Sequence, residues 1–335
     1  MIREAERAPN NYRPGPYWST KTRRATSELL RHGLANFRGP DSAVATSYGD
    51  NPLIDIRSSY RSGGLNVLKR TLTGVPLFSQ ILQSQVNLSE RLFSQMLVFK
   101  NEYLRSLPRV ASLLSKYPIA AMGTTKGGCV TTLDFDEIQI SHHYLQLLDT
   151  LDLVMNELGR STLVGHSVLE IGGGFGGNAH LMVELLGARK VIYLDIAPNL
   201  YVGTQYLRSF YGDSVSDFRA FQDRSVCFKD DDSLQIFCLL PHQIEQIESP
   251  IDLFHNAHSF VEMPEPVVRN YVSWIEQCLT PETGTASLVT YDRYDPSTTF
   301  SPEILGTLFG GRCESSVVET LTPGRRNFHF GYKVK

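Results

Sequence analysis

The sequence predicts an α/β fold: a mostly parallel β-sheet flanked by helices, with an α-helical subdomain in front of it. Three observations predict it. From about residue 166 onward, short apolar runs alternate with stretches of helical periodicity, the pattern of a sheet built from strand–helix units. A glycine-rich turn, Gly172 to Gly177, directly follows the first of those runs and leads into a helical stretch. Before residue 134 the apolar residues recur at helical spacing, without strand–helix alternation. The chain therefore divides into 1–133, an N-terminal arm and α-helical cover suited to substrate binding, and 134–335, the sheet domain.

Taken in order, residues 1–20 are rich in Asn, Pro, Arg and aromatics and read as an extended arm. Helical periodicity begins near Ser19 and ends at Gly33, a C-cap. Residues 40–65 are loop-like. A second helical block runs from about 65 to 115, with Leu77, Ile81, Leu82, Val86, Leu88, Leu92, Met96 and Leu97 at near-helical spacing and Pro76 and Pro108 as punctuation. Residues 117–133 return to loop. The spacing predicts a helix over 135–158, with Asp134 or Asp136 at its start and Gly159 at its end. Strands follow at 167–171, 190–195, 235–240, 251–256 and 285–290, with helices at 178–186, 199–211 and 264–278. A hairpin, 315–320 with 328–333, closes the chain. The count is seven strands, five parallel and a terminal antiparallel pair.

Bulk properties exclude several classes. Of 335 residues, 41% are hydrophobic and 20% charged, enough to bury a core. A net charge of -3 gives no basic field for nucleic acid and no polybasic membrane patch. No apolar run is long enough to span a bilayer. The five cysteines are scattered, with no C-x-x-C pair, and Met1 to Glu6 lack the apolar core of a secretory signal. Both point to a cytoplasmic protein with reduced thiols.

The glycine turn suggests a nucleoside ligand. Gly172, Gly174 and Gly177 satisfy the dinucleotide pattern G-x-G-x-x-G, while Glu170, Gly172, Gly174 and Gly176 satisfy E-x-G-x-G-x-G, which resembles motif I of class I S-adenosylmethionine (SAM) methyltransferases. The glutamate favours the second. A carboxylate would repel the pyrophosphate of NAD but attract the sulfonium and ammonium of SAM. Asp195 ends the second strand, where an acid accepts hydrogen bonds from a ribose diol, a group both ligands share. His242 and Gln243 follow the third strand, beside the place of an adenine. The fourth strand opens into His255-Asn256-Ala257-His258-Ser259-Phe260-Val261-Glu262-Met263. Ligands of open α/β sheets bind outside the carboxyl ends of the strands, so this stretch lies where methyl donor and acceptor meet. Asn256 is a cofactor-lining candidate. His258 is the favoured general base, Glu262 its orienting partner or a substrate acceptor, and His255 a further catalytic candidate.

Elsewhere, Arg38 and Arg57 are candidates for binding an anionic acceptor, with ion pairs between helices and loops as the plainer alternative. His142 and His143 are candidates for substrate contact, with ordinary helix packing as theirs. Asp230-Asp231-Asp232 points three carboxylates in different directions and reads as a solvated turn, so no metal is expected.

Three stretches carry a resemblance: Val168-Leu169-Glu170-Ile171-Gly172-Gly173-Gly174-Phe175-Gly176-Gly177, Tyr193-Leu194-Asp195-Ile196-Ala197-Pro198, and Asp252-Leu253-Phe254-His255-Asn256-Ala257-His258-Ser259-Phe260-Val261-Glu262-Met263. With weaker matches at Tyr17-Trp18, Asn36-Phe37-Arg38 and Asp55-Ile56-Arg57, the chain resembles the sugar O-methyltransferase family of bacterial class I SAM enzymes. That resemblance implies a Rossmann-like seven-stranded class I methyltransferase sheet, SAM as cofactor, and methyl transfer to an oxygen of a sugar or a glycosylated or nucleotide-linked small molecule in natural product biosynthesis. Ala197-Pro198-Asn199 replaces the family's usual Leu-Pro-Glu, and His255 is unusual there. Both departures leave the acceptor open: a carboxylate, amine or carbon is the first alternative, an NAD-dependent oxidoreductase the second, a non-catalytic partner protein of the same fold the third. A homodimer through the N-terminal helices is an expected assembly.

Overall fold

The strand at Ser167–Ile171 organises the molecule. A computed structural model describes residues 1–34, 37–38, 107–119, 133–135, 138–291, 302–310, 312–318 and 327–333. In chain order these form α1 (Ile2–Arg7), α2 (Pro16–His32), α3 (Pro108–Lys116), β1 (Leu133–Phe135), β2 (Ile138–Ile140), α4 (His142–Glu157), β3 (Ser167–Ile171), α5 (Gly177–Leu186), β4 (Lys190–Leu194), α6 (Ala197–Tyr211), β5 (Val215–Asp217), β6 (Gln235–Leu239), β7 (Leu253–Ala257), α7 (Glu265–Cys278), β8 (Thr285–Tyr291), β9 (Arg312–Val318) and β10 (Asn327–Lys333). Short 3₁₀ turns lie at Asn10–Tyr12, Pro241–Gln246, Phe260–Glu262 and Pro302–Thr307.

The main sheet has the order β5-β6-β4-β3-β7-β8-β10-β9. The expected class I methyltransferase arrangement is what forms: parallel strands run outward in both directions from β3, and the β9–β10 hairpin inserts β10 antiparallel against β8. One detail corrects the sequence reading. Six strands run parallel, not five, because the three-residue β5 adds an edge beside β6. That edge is too short to register as a periodic run.

Alternation along β3 splits its neighbours between two layers. Val168 packs into a cluster with α4, α5 and α6, while Leu169 and Ile171 pack into a second cluster with α7 and the turn at Pro302–Thr307. Every residue of β3 is buried, as a central parallel strand covered on both faces requires.

Three further expectations need correction or limits. The helix expected from 135 starts at His142. Leu133–Phe135 and Ile138–Ile140 instead form a small antiparallel hairpin, and the true N-cap is Ser141, whose hydroxyl accepts from the Tyr144 amide at 3.2 Å. The N-terminal 20 residues are not extended. They hold α1, a 3₁₀ turn and the first part of α2, which begins at Pro16, a residue favoured in a first helical turn. Arg57 and most of the 65–115 block lie outside the described residues. The tail of that block, α3, docks on α4 through Arg109 to Asp149, and through Lys116 (2.5 Å) and the Tyr117 hydroxyl (2.8 Å) to Asp152.

The N-terminal segment positions the site. Helices α1 and α2 pack against α6 in one layer, and the turn at Asn10–Tyr12 packs against α7 in the other. Three of its anchors follow strands at their carboxyl ends. Gln222 donates to Glu4 (2.5 Å), the Tyr12 hydroxyl to Glu245 (2.6 Å), and the Trp18 indole to Glu262 (3.0 Å). Residues 1–32 therefore roof the carboxyl ends of the central strands.

Candidate functional site

Backbone conformation shapes the turn after β3. Gly172, Gly174 and Gly176 have φ of +75°, +64° and +85°, a region that side chains disfavour. A Cβ at Gly172 would stand 2.2 Å from the Ser259 hydroxyl, and one at Gly173 would stand 2.5 Å from the Glu170 carboxyl. The turn is held from below by the Tyr193 hydroxyl, which donates to the Gly174 carbonyl (2.5 Å) and the Asn199 carbonyl (3.2 Å). The result is a tight cradle opening onto the N-terminus of α5.

Two carboxyl groups flank this cradle, and both are buried. Glu170 is 1% exposed. Its Oε1 accepts from the Asn178 side chain at 2.9 Å, whereas its Oε2 is buried without a partner. Asp195 accepts from the Gly174 amide (2.8 Å), the Ile196 amide (2.7 Å) and the Asn199 side chain (3.2 Å). Burial pushes each carboxyl up to about 7, a shift that the donors around it oppose. Among the described residues neither forms an ion pair. A paired acidic lining of this kind suits a ligand that brings positive charge and hydroxyl donors. It repels a pyrophosphate.

The loops after β6 and β7 close the site's other sides, and here the predicted residues divide. Gln243 spends its amide on the fold: its oxygen accepts from the Leu240 amide (3.0 Å), and its nitrogen donates to the Phe218 (3.0 Å) and Phe221 (3.4 Å) carbonyls. His242, next to it, keeps a buried Nδ1 without a partner, and burial lowers its pKa. Asn256 likewise acts as a brace. It donates to the Ile171 carbonyl (2.8 Å) and the Ser259 hydroxyl (2.5 Å) and accepts from the Phe260 amide (3.1 Å), so the exit of β7 is tied to the glycine turn.

His258 and Glu262 come together at the mouth. His258 has φ of +67°, unusual for a non-glycine residue, and its ring stacks on Tyr291 with centroids 5.5 Å apart. Glu262 accepts from the Tyr291 hydroxyl (2.9 Å) on one oxygen and from the Trp18 indole (3.0 Å) on the other. Lys21 of α2 lies over the Trp18 ring at 5.0 Å, and its pKa is lowered by burial against the pull of Glu262. The mouth is thus a cluster of His258, Glu262, Tyr291, Trp18 and Lys21.

A search of protein-family models finds no match, and none is found among curated proteins. Solved structures do match. One is a SAM dependent methyltransferase from Aquifex aeolicus, with 16% identity over 58% of this chain and 94% of that one at a TM-score of 0.42. Another is the PH0226 protein from Pyrococcus horikoshii OT3, with 14% identity over 70% of this chain and 99% of that one at a TM-score of 0.41. A third is the mitomycin 7-O-methyltransferase MmcR, with 14% identity over 55% of this chain and 54% of that one at a TM-score of 0.37. At these scores the functional reading rests on the site's own residues.

Arg38 and His143 lie behind the cradle, against Phe175. Arg38 is 0% exposed. Its guanidinium sits over the Phe175 ring (4.3 Å) and the Tyr144 ring (5.1 Å) and donates to the Ser141 hydroxyl (2.7 Å), which anchors the start of α4 behind the glycine turn. It offers no surface to an acceptor. His142 is the first residue of α4, and the His143 ring packs on Phe175 at 5.7 Å. Asp231 caps its own turn, accepting from Ser233 and Gln235 and pairing with Lys190 at 3.0 Å. Among the described residues no cluster of His, Cys, Asp or Glu is arranged to hold a metal ion, and no helix is long and apolar enough to cross a membrane.

Sequence reasoning missed Lys21 and Tyr291, and it noted Trp18 only within the weaker N-terminal match. Asn178, the donor to Glu170, stood in plain view one residue after the glycine run.

Proposed function

We propose that the protein is a SAM-dependent methyltransferase acting on a hydroxyl of a small-molecule acceptor, a sugar or a glycosylated or nucleotide-linked compound. One observation carries the cofactor reading. Glu170 presents a buried, unpartnered carboxylate oxygen against the backbone of a glycine cradle that Asp195 closes from the other side. SAM supplies an electrophilic methyl group when bound. In this reading Glu170 holds its ammonium, and Asp195 exchanges the Gly174 amide for a ribose hydroxyl. The roof formed by residues 1–32 excludes water. Isothermal calorimetry with S-adenosylhomocysteine (SAH) and with NAD tests it. SAH binding without NAD binding is the expected result, and NAD binding alone would replace this reading with an oxidoreductase.

The hydroxyl reading is supported by the mouth. A hydroxyl acceptor needs its proton removed as the methyl moves, and His258 is the half-buried imidazole there, held by its stack on Tyr291. Glu262 accepts from Trp18 and Tyr291 and so holds the wall beside that ring. His258→Ala is expected to lower kcat by roughly 10²-fold for a hydroxyl acceptor while leaving SAH affinity unchanged. A carboxylate acceptor needs no base, and methylation that survives the substitution intact would favour it.

The division at 133/134, a cytoplasmic location and a homodimer through the N-terminal helices complete the reading. Free, buried Cys238 and Cys278 support a reducing compartment.

A further inference from the structure

His255 lies in the middle of β7 at 1% exposure, and neither ring nitrogen has a hydrogen-bond partner. Two orphaned nitrogens on one buried ring are costly, and such an exception calls for an explanation.

Register supplies the neighbour. His255 is the residue paired with Glu170 across the β3–β7 ladder, so both side chains emerge side by side on the same face of the sheet. Glu170 has its own buried oxygen without a partner. On the far side His255 pairs with Ser287 of β8, whose hydroxyl is engaged with the His329 ring at 3.1 Å. The unmet capacity is thereby concentrated on the β3–β7 pair, directly beneath the Gly172–Gly173 turn. A neutral imidazole presents one acceptor and one N–H, and a carboxylate presents acceptors only. Burial, followed by the neighbouring His329 and His258, holds His255 at about 3, so its ring stays neutral and its lone pair stays available. That setting is wrong for a general base at neutral pH, and His255 leaves the list of catalytic candidates. It is right for accepting a hydrogen bond from a cation.

We infer that His255 and Glu170 form one buried binding site for a primary ammonium group, with His255 as a second acceptor beside the carboxylate. The assignment rests on the cofactor reading above and deepens it: the ammonium is that of the cofactor's amino-acid end. His255 is then a binding residue for the cofactor rather than part of the acceptor chemistry.

The test separates the amino-acid end from the nucleoside. SAH carries the ammonium, and 5′-methylthioadenosine lacks the whole amino-acid portion. Calorimetry on the full chain would compare both ligands for wild type, His255→Leu and His255→Gln. The Leu variant should bind SAH roughly 10-fold more weakly, the scale of a lost hydrogen bond to a charged group, with 5′-methylthioadenosine unchanged. The Gln variant, which restores an acceptor, should recover part of the loss. Without ligand, His255→Leu should melt at the same temperature as wild type or higher, since it removes an orphaned ring. Unchanged SAH affinity in His255→Leu would overturn the assignment, as would equal weakening of both ligands, because the ring would then serve only packing or internal hydration. Wild-type protein that binds neither ligand would overturn the cofactor reading itself.

Discussion

At pH 8, protein carrying Glu170→Gln is expected to melt at a higher temperature than wild type and to bind SAH roughly 10²-fold more weakly, the scale of a lost charged hydrogen bond with its ion pairing. Glu170 titrates at about 7 in the folded chain against 4.5 as its ordinary value, and Asp195 at about 7 against 3.8, burial being the first cause in both. A carboxyl raised by folding binds more protons folded than unfolded. Its contribution is fully present below the unfolded value and is lost as pH rises through the folded one. Protein without ligand should therefore lose stability between about pH 4 and pH 7, by roughly 3 kcal/mol for Glu170 alone at 1.36 kcal/mol per pKa unit. Asp217 behaves oppositely. Held at about 2 by Arg219 and Arg208, it loses its contribution only as pH falls below 4, so the two windows do not overlap. A bound cation removes the cost of ionising Glu170, and the rise in melting temperature caused by SAH should grow from pH 5 to pH 8. Thermal melts of wild type and Glu170→Gln across that range, with and without SAH, measure all of this. A wild-type stability that is flat from pH 5 to 7 would show that these carboxyls are not held in the buried state described.

The glycine turn, Glu170 and Asp195 are local features: each role follows from a strand, the next few residues and a backbone that needs glycine. Those positions were legible for that reason, as were strands β3, β4, β6, β7 and β8, whose apolar runs end at glycine, proline, asparagine or aspartate. Proline misled the reading at the N-terminus, where Pro16 opens α2 instead of ending an arm, and Asp134 drew a helix start that belongs to Ser141. The identities of Gln243 and Asn256 pointed to hydrogen bonding, but not to backbone carbonyls as the partners. The mouth was the least legible part. Trp18 reaches Glu262 across 244 residues of chain and Tyr291 reaches it across 29, and no local pattern encodes either contact.

That long-range contact leads to the second large effect. Residues 1–32 cross the carboxyl ends of the strands with Ala8 and Tyr12 buried and with latches at Glu245 and Glu262 on the far side. Gly15 is seated so closely on Pro264 that a Cβ there would stand 2.6 Å from the proline ring. Glu170 and Asp195 lie buried in the same state, and a ligand reaching them is expected to displace part of this segment first. Binding should then be gated. In a stopped-flow measurement the observed rate should level off at high SAH concentration, at the opening rate of the segment, in place of rising linearly. The chain carries only two tryptophans, Trp18 and Trp274, so a Trp274→Phe protein reports the motion through Trp18 alone. Removing residues 1–14 takes away the Tyr12 and Glu4 contacts while sparing α2, and it should raise the plateau and speed SAH release by an order of magnitude or more, since the roof then keeps only the Glu262 contact and the packing of α2 on α6. Trp18→Phe removes the indole N–H from Glu262 while keeping an aromatic ring in place; followed by ligand heat in place of fluorescence, it should speed release to a smaller degree. A rate that stays linear in SAH concentration for the full chain would mean that the segment does not stand in the ligand's way.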